Sequence, residues 1–255
     1  AGVDYRLEPS ELVMTQSRMV AEIRSERLSV GWMGTSRELE TQMLPVRIPL
    51  MRGLLGYRVC IIHQAEQPRF STVRTLDDWR SLTIGQGLGW SDVGILENAG
   101  MKVFEAKYES LFRMVETGRF HCFLRGVNEA TTEVAQWRSG NPNLSVEQEQ
   151  MLVYPFAMFF FVSRNNPQLA QWIEQGLKLA YEDGSFIKHF DSHPTIRRIF
   201  QDIQMNKRCR VDIDNPLLSE ETRNISPRYW HGAQSQDVSL ATSADRFSPG
   251  LFRTR

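Results

Sequence analysis

The sequence has little cysteine, no excess of charge of either sign and no long apolar run. Its three cysteines, Cys60, Cys122 and Cys209, are an odd number with wide spacing, which predicts neither a disulfide framework nor a zinc site. We expect Cys60 and Cys122 to pack as thiols inside apolar strands. Lys and Arg total 30, as do Asp and Glu, so we expect no nucleic acid and no anionic membrane surface as the main partner.

No apolar stretch has the length of a membrane-spanning helix, and the longest, at residues 154–162, suits a buried strand. No secretory signal is recognisable, which fits a mature exported protein as well as a cytoplasmic one. With 255 residues, 41% hydrophobic and 24% charged, the chain has the composition of one large or two modest globular domains. His189 and His193 have the spacing of a metal pair on a helix, but Pro194 indicates that the helix ends there, which argues against a metal site. We expect neither a metal nor a cofactor.

Residues 82–129 carry the clearest pattern, which reads strand, glycine turn, helix, strand, helix, strand. Such alternation predicts a parallel sheet with right-handed crossovers, whose ligands bind beyond the carboxyl ends of the strands. We expect the turn at Gly85, Gly87 and Gly89 to share a crevice with Arg125, which ends the third strand, and this crevice would favour anions. Alternatively, these glycines serve only packing, and the pattern favours neither interpretation.

Strand and helix patterns group into two sets, one before residue 64 and one between residues 70 and 156. They predict two α/β lobes, each a mixed, mostly parallel sheet flanked by helices, with crossings near residues 64–70 and 156–162. We expect the helices after residue 162 to return to the first lobe. A cleft between two lobes is a favoured site for a small ligand. The predicted boundaries are lobe 1 at 1–65 and 160–225, lobe 2 at 66–159, and a polar C-terminal tail at 226–255.

Four segments occur in a recognisable order: GWMGTSRE at 31–38, PLMRGLLGYRVCII at 49–62, the glycine turn at 83–92 and TGRFHC at 117–122. Together they resemble the bacterial periplasmic solute-binding proteins of family 3, which serve amino-acid importers. The resemblance extends over roughly residues 3–218 and is strongest to a branch in which GLLGYR and RGVNE are typical. It implies the two-lobed type II periplasmic-binding-protein-like fold. The first βα unit of that family has no counterpart here, so either the chain is truncated or a partner or the C-terminal tail fills the gap.

The resemblance also implies a ligand site. Arg37 would hold a ligand carboxylate through two charge-assisted hydrogen bonds, with a hydroxyl from Thr35, unless Arg37 is a solvated turn residue. Trp90 is either a stacking wall or a cap over the following helix, and Gln16 either binds the ligand or caps and packs its helix. The full candidate set is Gln16, Trp32, Thr35, Arg37, Gly87, Trp90, Ser91 and Arg125.

One departure from the family bears on the ligand. Arg125 and Gly126 stand where amino-acid binders of this family often place an Asp for the ligand ammonium, and His121 replaces the usual strand Asp. Glu129 is the nearest carboxylate. A positive Arg125 would repel an amino group, so we expect a small anionic solute, either amino-acid-like or a dicarboxylate. Alternatively, Arg125 forms a structural ion pair.

We therefore predict a non-catalytic, monomeric, periplasmic protein that binds this solute between its lobes for ABC-type import, with a membrane permease as partner. A ligand-sensing module that works with a sensor kinase is the alternative. A dehydratase or lytic enzyme on the same scaffold is a further alternative and needs a positioned acid or base. The candidates for that role are Glu38, Asp92, Glu129 and His121, none of which has a recognisable partner in the sequence.

Overall fold

The computed structural model describes residues 4–10 and 14–231, so most of the predicted polar tail lies outside the described residues. The first part of that tail, residues 226–231, is packed. Tyr229 is 7% exposed, and the backbone N–H of His231 donates to the Arg52 carbonyl at 2.7 Å. The ring of Trp230 lies so close to Gly53 that a Cβ there would come within 2.3 Å of it. The packed part of the chain therefore extends beyond the predicted boundary.

The described residues form eleven α-helices and ten strands, and none of these helices has the length and hydropathy needed to cross a membrane. The helices are α1 (Gln16–Arg24), α2 (Arg37–Gln42), α3 (Gln67–Phe70), α4 (Leu76–Ser81), α5 (Val93–Asn98), α6 (Tyr108–Glu116), α7 (Ala130–Trp137), α8 (Pro167–Glu182), α9 (Ser185–Ser192), α10 (Pro194–Arg198) and α11 (Glu220–Arg223). The strands are β1 (Val30–Gly34), β2 (Leu44–Val46), β3 (Tyr57–His63), β4 (Thr83–Gly87), β5 (Lys102–Ala106), β6 (Cys122–Gly126), β7 (Leu144–Val146), β8 (Gln150–Val153), β9 (Met158–Val162) and β10 (Cys209–Asp212).

Strand pairing produces two sheets, which confirms the predicted two-lobed α/β fold. The small sheet has the order β1-β9-β2, and β9 runs antiparallel to both neighbours. The prediction of a mostly parallel sheet is therefore wrong for this lobe, which has no parallel pair among the described residues. The large sheet has the order β10-β8-β3-β6-β4-β5, with β7 paired to β3. Its parallel pairs are β10-β8, β4-β5 and β4-β6, whereas β3 is antiparallel to its neighbours.

The segment from β4 to β6 forms as predicted. Helix α6 buries Leu111, Phe112 and Val115 on one face, and Gly118, with a φ of 70°, follows its end. Both β5 and β6 run parallel to β4, so the carboxyl ends of these strands lie at one edge of the large sheet. This edge faces the small sheet.

The lobes divide at other residues than predicted. Because β3 pairs with β6, β7 and β8, the large sheet begins at Tyr57 instead of residue 66. Because β10 pairs with β8, residues 209–212 also belong to this sheet, although the sequence assigned them to the first lobe. An apolar run such as β3 shows that a strand is buried but does not show which sheet it joins.

The two chain crossings lie side by side at Gly56 and Tyr154, earlier than the predicted positions. The Tyr154 N–H donates to the Gly56 carbonyl at 3.1 Å. A Cβ at position 56 would come within 1.9 Å of the Tyr154 carbonyl oxygen, which leaves no room for any residue larger than glycine.

The helices after residue 162 divide between the lobes instead of returning together to the first. Helix α8 packs against β2 and β9 of the small sheet. The segment from α9 onward contributes Phe190, Ile196 and Ile199 to the apolar core of the large sheet, where they join Ile61 and Phe123.

A buried carboxylate fixes the C-terminal segment to the small-sheet lobe. Glu40, which is 7% exposed, accepts hydrogen bonds from Ser219 at 2.6 Å, Thr35 at 2.7 Å, Thr222 at 2.8 Å and Arg47 at 2.9 Å. Burial alone would raise the pKa of Glu40, but these hydrogen bonds outweigh it and lower the pKa below its ordinary value of 4.5. Helix α11 is therefore held against α2 by an ionised carboxylate.

Cys60 and Cys122 pack in the apolar core as predicted, but as a disulfide and not as thiols. They lie on the adjacent antiparallel strands β3 and β6, where Cys60 is opposite Leu124, two residues beyond Cys122. Both side chains point into the same apolar core, and their Cα atoms are 5.2 Å apart. Spacing along the sequence could not show this register. Cys209 remains as the free cysteine.

Candidate functional site

A cavity of about 270 Å³ lies between the edge of the large sheet and the small sheet. This volume is just below the roughly 300–1,000 Å³ of typical small-molecule sites, so it suits a compact ligand. Helix α1 and strands β1 and β9 form the small-sheet side. Strand β3, the turn after β4 and the connection from β6 to α7 form the other side. The lining residues of this interlobe cavity are Gln16, Met19, Trp32, Met33, Gly34, Leu55, Arg58, Trp90, Ser91, Asp92, Arg125, Glu129, Phe156 and Met158.

The charged lining residues form one side of this cavity, which we call the floor: Arg58, Asp92, Arg125 and Glu129. Arg58 lies at its centre. Its side chain is 4% exposed and contacts Asp92 at 2.9 Å, while its Nε donates to the Tyr154 hydroxyl at 2.9 Å. That hydroxyl donates in turn to Asp92 at 3.0 Å. Burial alone would lower the pKa of Arg58, but the neighbouring Tyr154, Asp92 and Glu129 outweigh it and raise the pKa. The floor therefore contains a permanent guanidinium charge.

Arg125 also lines the cavity, but it is not the unpaired cation that the sequence suggested. Its Nε and Nη2 donate to the two carboxylate oxygens of Glu133 at 2.7 and 2.6 Å, and Glu129 lies 3.1 Å away. The guanidinium also stacks on the ring of Trp90, 4.6 Å from its centroid. Burial alone would lower the pKa of Arg125, and the two glutamates overcome it and raise the pKa. Arg125 therefore forms an ion pair with Glu133 of α7 in its own lobe, and its predicted role toward a ligand stays a prediction.

Glu129 is the most accessible charged group of the floor. Its side chain is 30% exposed, against 3% for Asp92 and 11% for Glu133. One carboxylate oxygen lies 3.1 Å from Arg125 and 3.9 Å from Arg58. Glu133 does not line the cavity, so the charged lining consists of two guanidinium groups and two carboxylates, whose formal charges cancel.

The Glu129 carboxylate occupies the space beside Gly126. It accepts the Gly126 backbone N–H at 3.1 Å, and a Cβ at position 126 would lie 3.0 Å from its Oε2. The resemblance implies an ammonium-binding Asp at this strand end. Asn128 Oδ1 is nearer still to that Cβ position, at 2.5 Å, so an amide oxygen and a carboxylate both lie at this strand end.

The glycine turn after β4 uses its N–H groups within the protein. The Gly89 N–H donates to Glu105 at 2.9 Å, and the Trp90 N–H donates to the Gly87 carbonyl at 3.1 Å. The Trp90 ring covers Gly87 so closely that a Cβ there would come within 2.1 Å of it. Packing therefore accounts for Gly87. Because the N–H groups of Gly89 and Trp90 already have acceptors within the protein, the turn has fewer free N–H groups for an anion than the sequence suggested.

Five of the eight predicted site residues come together in the interlobe cavity, and Gly87 lies beneath Trp90. Thr35 is 2% exposed and donates its hydroxyl to Glu40, so it points away from the cavity. The helix cap at α1 is Thr15, which leaves the Gln16 side chain in the cavity lining. The five cavity residues are Gln16, Trp32, Trp90, Ser91 and Arg125.

Arg37 lies in an adjoining open groove of about 870 Å³ that shares Gln16, Trp90 and Ser91 with the interlobe cavity. Its Nη2 donates to the carbonyls of Pro216 at 3.3 Å and Leu218 at 3.1 Å. The guanidinium thus binds the returning C-terminal segment, and its predicted role toward a ligand stays a prediction.

Sequence reasoning missed Arg58 and most of the apolar lining. Arg58 lies within the apolar run YRVCIIH, and a charged residue inside a buried strand needs partners or a function, which was the available signal. The lining residues Met19, Leu55, Phe156 and Met158 gave no such signal because methionine and aromatic residues also fill ordinary cores.

The acid–base candidates of the enzyme alternative do not all meet. Asp92 and Glu129 line the interlobe cavity, Glu38 lines the adjoining groove, and His121 lines neither. The His121 Nδ1 accepts the Thr83 N–H at 2.9 Å, and burial lowers its pKa. In residues 4–10 and 14–231, no group of three His, Cys, Asp or Glu side chains is arranged to hold a metal ion.

The sequence matches no family model and no curated protein, whereas solved structures do match. An ancestral arginine-binding protein bound to glutamine is 17% identical, with a TM-score of 0.52 over 71% of this chain and 77% of that one. A putative binding component of an ABC transporter from Wolinella succinogenes, complexed with lysine, is 16% identical, with a TM-score of 0.52 over 74% and 78% of the two chains. An amino-acid ABC transporter substrate-binding protein from Streptococcus pneumoniae, bound to L-arginine, is 11% identical, with a TM-score of 0.52 over 71% and 73%. The chain therefore has the two-lobed type II fold that the resemblance implied.

Proposed function

We propose that this chain is a non-catalytic solute-binding protein for ABC-type import and that it binds one zwitterionic α-amino acid in the interlobe cavity. The pair formed by Arg58 and Glu129 carries this proposal. A guanidinium and a carboxylate lie 3.9 Å apart on the floor of a cavity of amino-acid size.

The pair matches the two charges of an α-amino acid. Nη2 and Nε of Arg58 are engaged by Asp92 and Tyr154. Nη1 faces Glu129 at 3.9 Å, beyond hydrogen-bond distance, and is the atom that would receive the ligand carboxylate. Glu129, the more exposed partner, would accept the ligand ammonium. Such charge-assisted hydrogen bonds are about twice as strong as neutral ones.

The expectation of an anionic solute depended on Arg125 as an unpaired cation. Glu133 and Glu129 pair with that guanidinium, so Arg125 is not an unpaired cation. A second negative group on the ligand would find no further unpaired cation among the lining residues of this cavity. We therefore replace the dicarboxylate with a zwitterion in the proposal.

A ligand in this cavity touches both lobes and would favour their closed arrangement over the open one. The named roles of the matching structures, which are components of ABC transporters, support a membrane permease as the partner. The buried Cys60–Cys122 disulfide suits an oxidising compartment such as the periplasm.

The test is isothermal titration of the chain with the common L-amino acids and with dicarboxylates, preceded by a thermal-shift screen. A bound amino acid raises the melting temperature increasingly with its concentration. Glu129→Gln should weaken binding roughly 10- to 100-fold because a charged hydrogen bond contributes about 1.5–3 kcal/mol. Glu97→Gln is the matched control, since Glu97 is an exposed side chain of the same lobe outside the cavity. No binding by any amino acid, or full binding by Glu129→Gln, would overturn the proposal.

A second variant decides which arginine receives the ligand carboxylate. If Arg58 does so, Arg37→Gln should change the dissociation constant by less than about threefold, well under the tenfold that 1.4 kcal/mol produces. A loss of tenfold or more would return the carboxylate to Arg37. Mass spectrometry of the recovered ligand checks that the bound amino acid is unchanged, and any product would refute the non-catalytic assignment.

A further inference from the structure

We propose that the interlobe cavity selects amino acids with large apolar side chains and that Trp32 is the residue that determines this specificity; this inference rests on the proposed function. Next to the charged floor, the cavity has an apolar wall, whose Phe156 ring centroid lies 5.4 Å from the Arg58 guanidinium. Its residues come from α1, β1, the crossings and β9, and they are Met19, Trp32, Met33, Leu55, Phe156 and Met158.

This wall holds no group that would pair with a charged ligand side chain. Apart from the floor, Gln16 and Ser91 are the polar side chains among the described lining residues, and neither is ionised. A lysine or arginine side chain directed at the wall would lose its hydration without gaining a carboxylate, and a glutamate would lose its hydration without gaining a cation. Once the floor has bound the ligand's α-groups, only an uncharged side chain is matched by the wall.

Trp32 is the unusual member of the wall. Its side chain is 58% exposed, while its strand neighbours Gly31 and Met33 are buried. No aromatic or cationic partner contacts its ring within residues 4–10 and 14–231, in contrast to Trp90, which Arg125 covers. A large indole face left open inside a cavity loses solvent contact when an apolar group stacks on it, which favours binding.

The other wall residues favour a class of ligand over a single compound. Three of the six are methionines, whose flexible thioether chains adapt to different shapes. We therefore expect leucine, methionine and phenylalanine to share the site. Alanine would bind the same floor but leave the Trp32 ring uncovered.

The experiment is isothermal titration of the full chain with phenylalanine, methionine, leucine, alanine, lysine and glutamate. Phenylalanine should bind at least roughly tenfold more tightly than alanine, lysine or glutamate, because filling an apolar pocket is worth roughly 10- to 200-fold. Trp32→Ala should reduce the ratio of phenylalanine to alanine affinity about tenfold, and Trp32→Phe should restore most of it. Trp172→Ala is the control, because Trp172 is a partly exposed tryptophan, at 39%, on α8 outside the cavity.

The outcomes separate this inference from the proposed function. If lysine or glutamate binds more tightly than phenylalanine, the apolar specificity is wrong while amino-acid binding stands. If Trp32→Ala weakens alanine and phenylalanine equally, Trp32 does not determine specificity. If no amino acid binds, both proposals fall. Because Trp32 is highly exposed, its variants should keep the melting temperature of the unmodified chain. Measuring that temperature checks that the variants are folded.

Discussion

Loss of the Cys60–Cys122 disulfide should destabilise the large-sheet lobe by an amount that the chain separation sets. The bond joins residues 62 positions apart. Cross-linking a loop of this length removes chain entropy from the unfolded state equivalent to about 4 kcal/mol. For a chain of this size, where 1 kcal/mol shifts the melting temperature by about 2–4 °C, we expect a fall of about 8–16 °C.

The perturbation is the double variant Cys60→Ala, Cys122→Ala, compared with Cys209→Ala. Both bonded cysteines are fully buried, at 1% and 0%, whereas Cys209 lies partly exposed at the start of β10. The single variant should therefore retain its stability. Thermal and urea unfolding, followed by circular dichroism, measure the difference.

Thiol counting tests the same bond without mutation. In denaturant without reductant, one thiol per chain should react, and in denaturant after reduction, three should react. Three reactive thiols without reductant in protein from an oxidising compartment would refute the pairing. An unchanged unfolding midpoint in the double variant would refute the entropy calculation while leaving the pairing intact.

Two further predictions concern buried carboxylates. Glu133→Gln should lower the free energy of unfolding by about 3 kcal/mol, the lower end for a broken buried pair, because Glu129 still contacts Arg125. Thermal unfolding against Glu109→Gln, an exposed control on α6, measures it, and a loss below about 1 kcal/mol would contradict it. Because the folded pKa of Glu40 is lowered, its stabilisation is present above pH 4.5 and is lost as the pH falls through the folded pKa. As the pH falls below 4.5, the unmodified chain should therefore lose stability more steeply than Glu40→Gln, and equal slopes would exclude this role.

The sequence predicted those parts of the fold that depend on local patterns. The alternation of apolar runs, glycines and an amphipathic helix between residues 82 and 129 determines β4, β5, α6 and β6, and all form near their predicted bounds. The sheet to which β3 belongs, and the pairing of Cys60 with Cys122, depend on the register between strands about 60 residues apart. No local pattern encodes that register, so the lobe boundary and the disulfide were missed.

The candidate site could likewise be predicted from the sequence only in part. Trp32, Trp90 and Ser91 were identified through the family resemblance, and they do line one cavity. The state of Arg125 was not predictable, because its partner Glu133 lies on the next helix and the strand-to-helix geometry brings the two together. Without that pairing, Arg125 counted as a positive charge at the site, and the expected ligand was therefore an anion.

Tyr154 makes the cavity floor continuous with the chain crossing. Its backbone is hydrogen-bonded to Gly56 between the lobes, and its hydroxyl joins Arg58 to Asp92 beneath the cavity. A ligand that draws Arg58 toward itself would also pull on the Tyr154 hydroxyl. That pull would displace the Tyr154 backbone at the chain crossing, where the lobes move relative to each other. Tyr154 therefore links ligand affinity to lobe motion. Because Arg58 contacts the Tyr154 hydroxyl, substitutions at Arg58 would alter both. Trp32 lies on β1, outside the crossing, so a substitution there would change ligand preference with less effect on lobe motion than a substitution at Arg58.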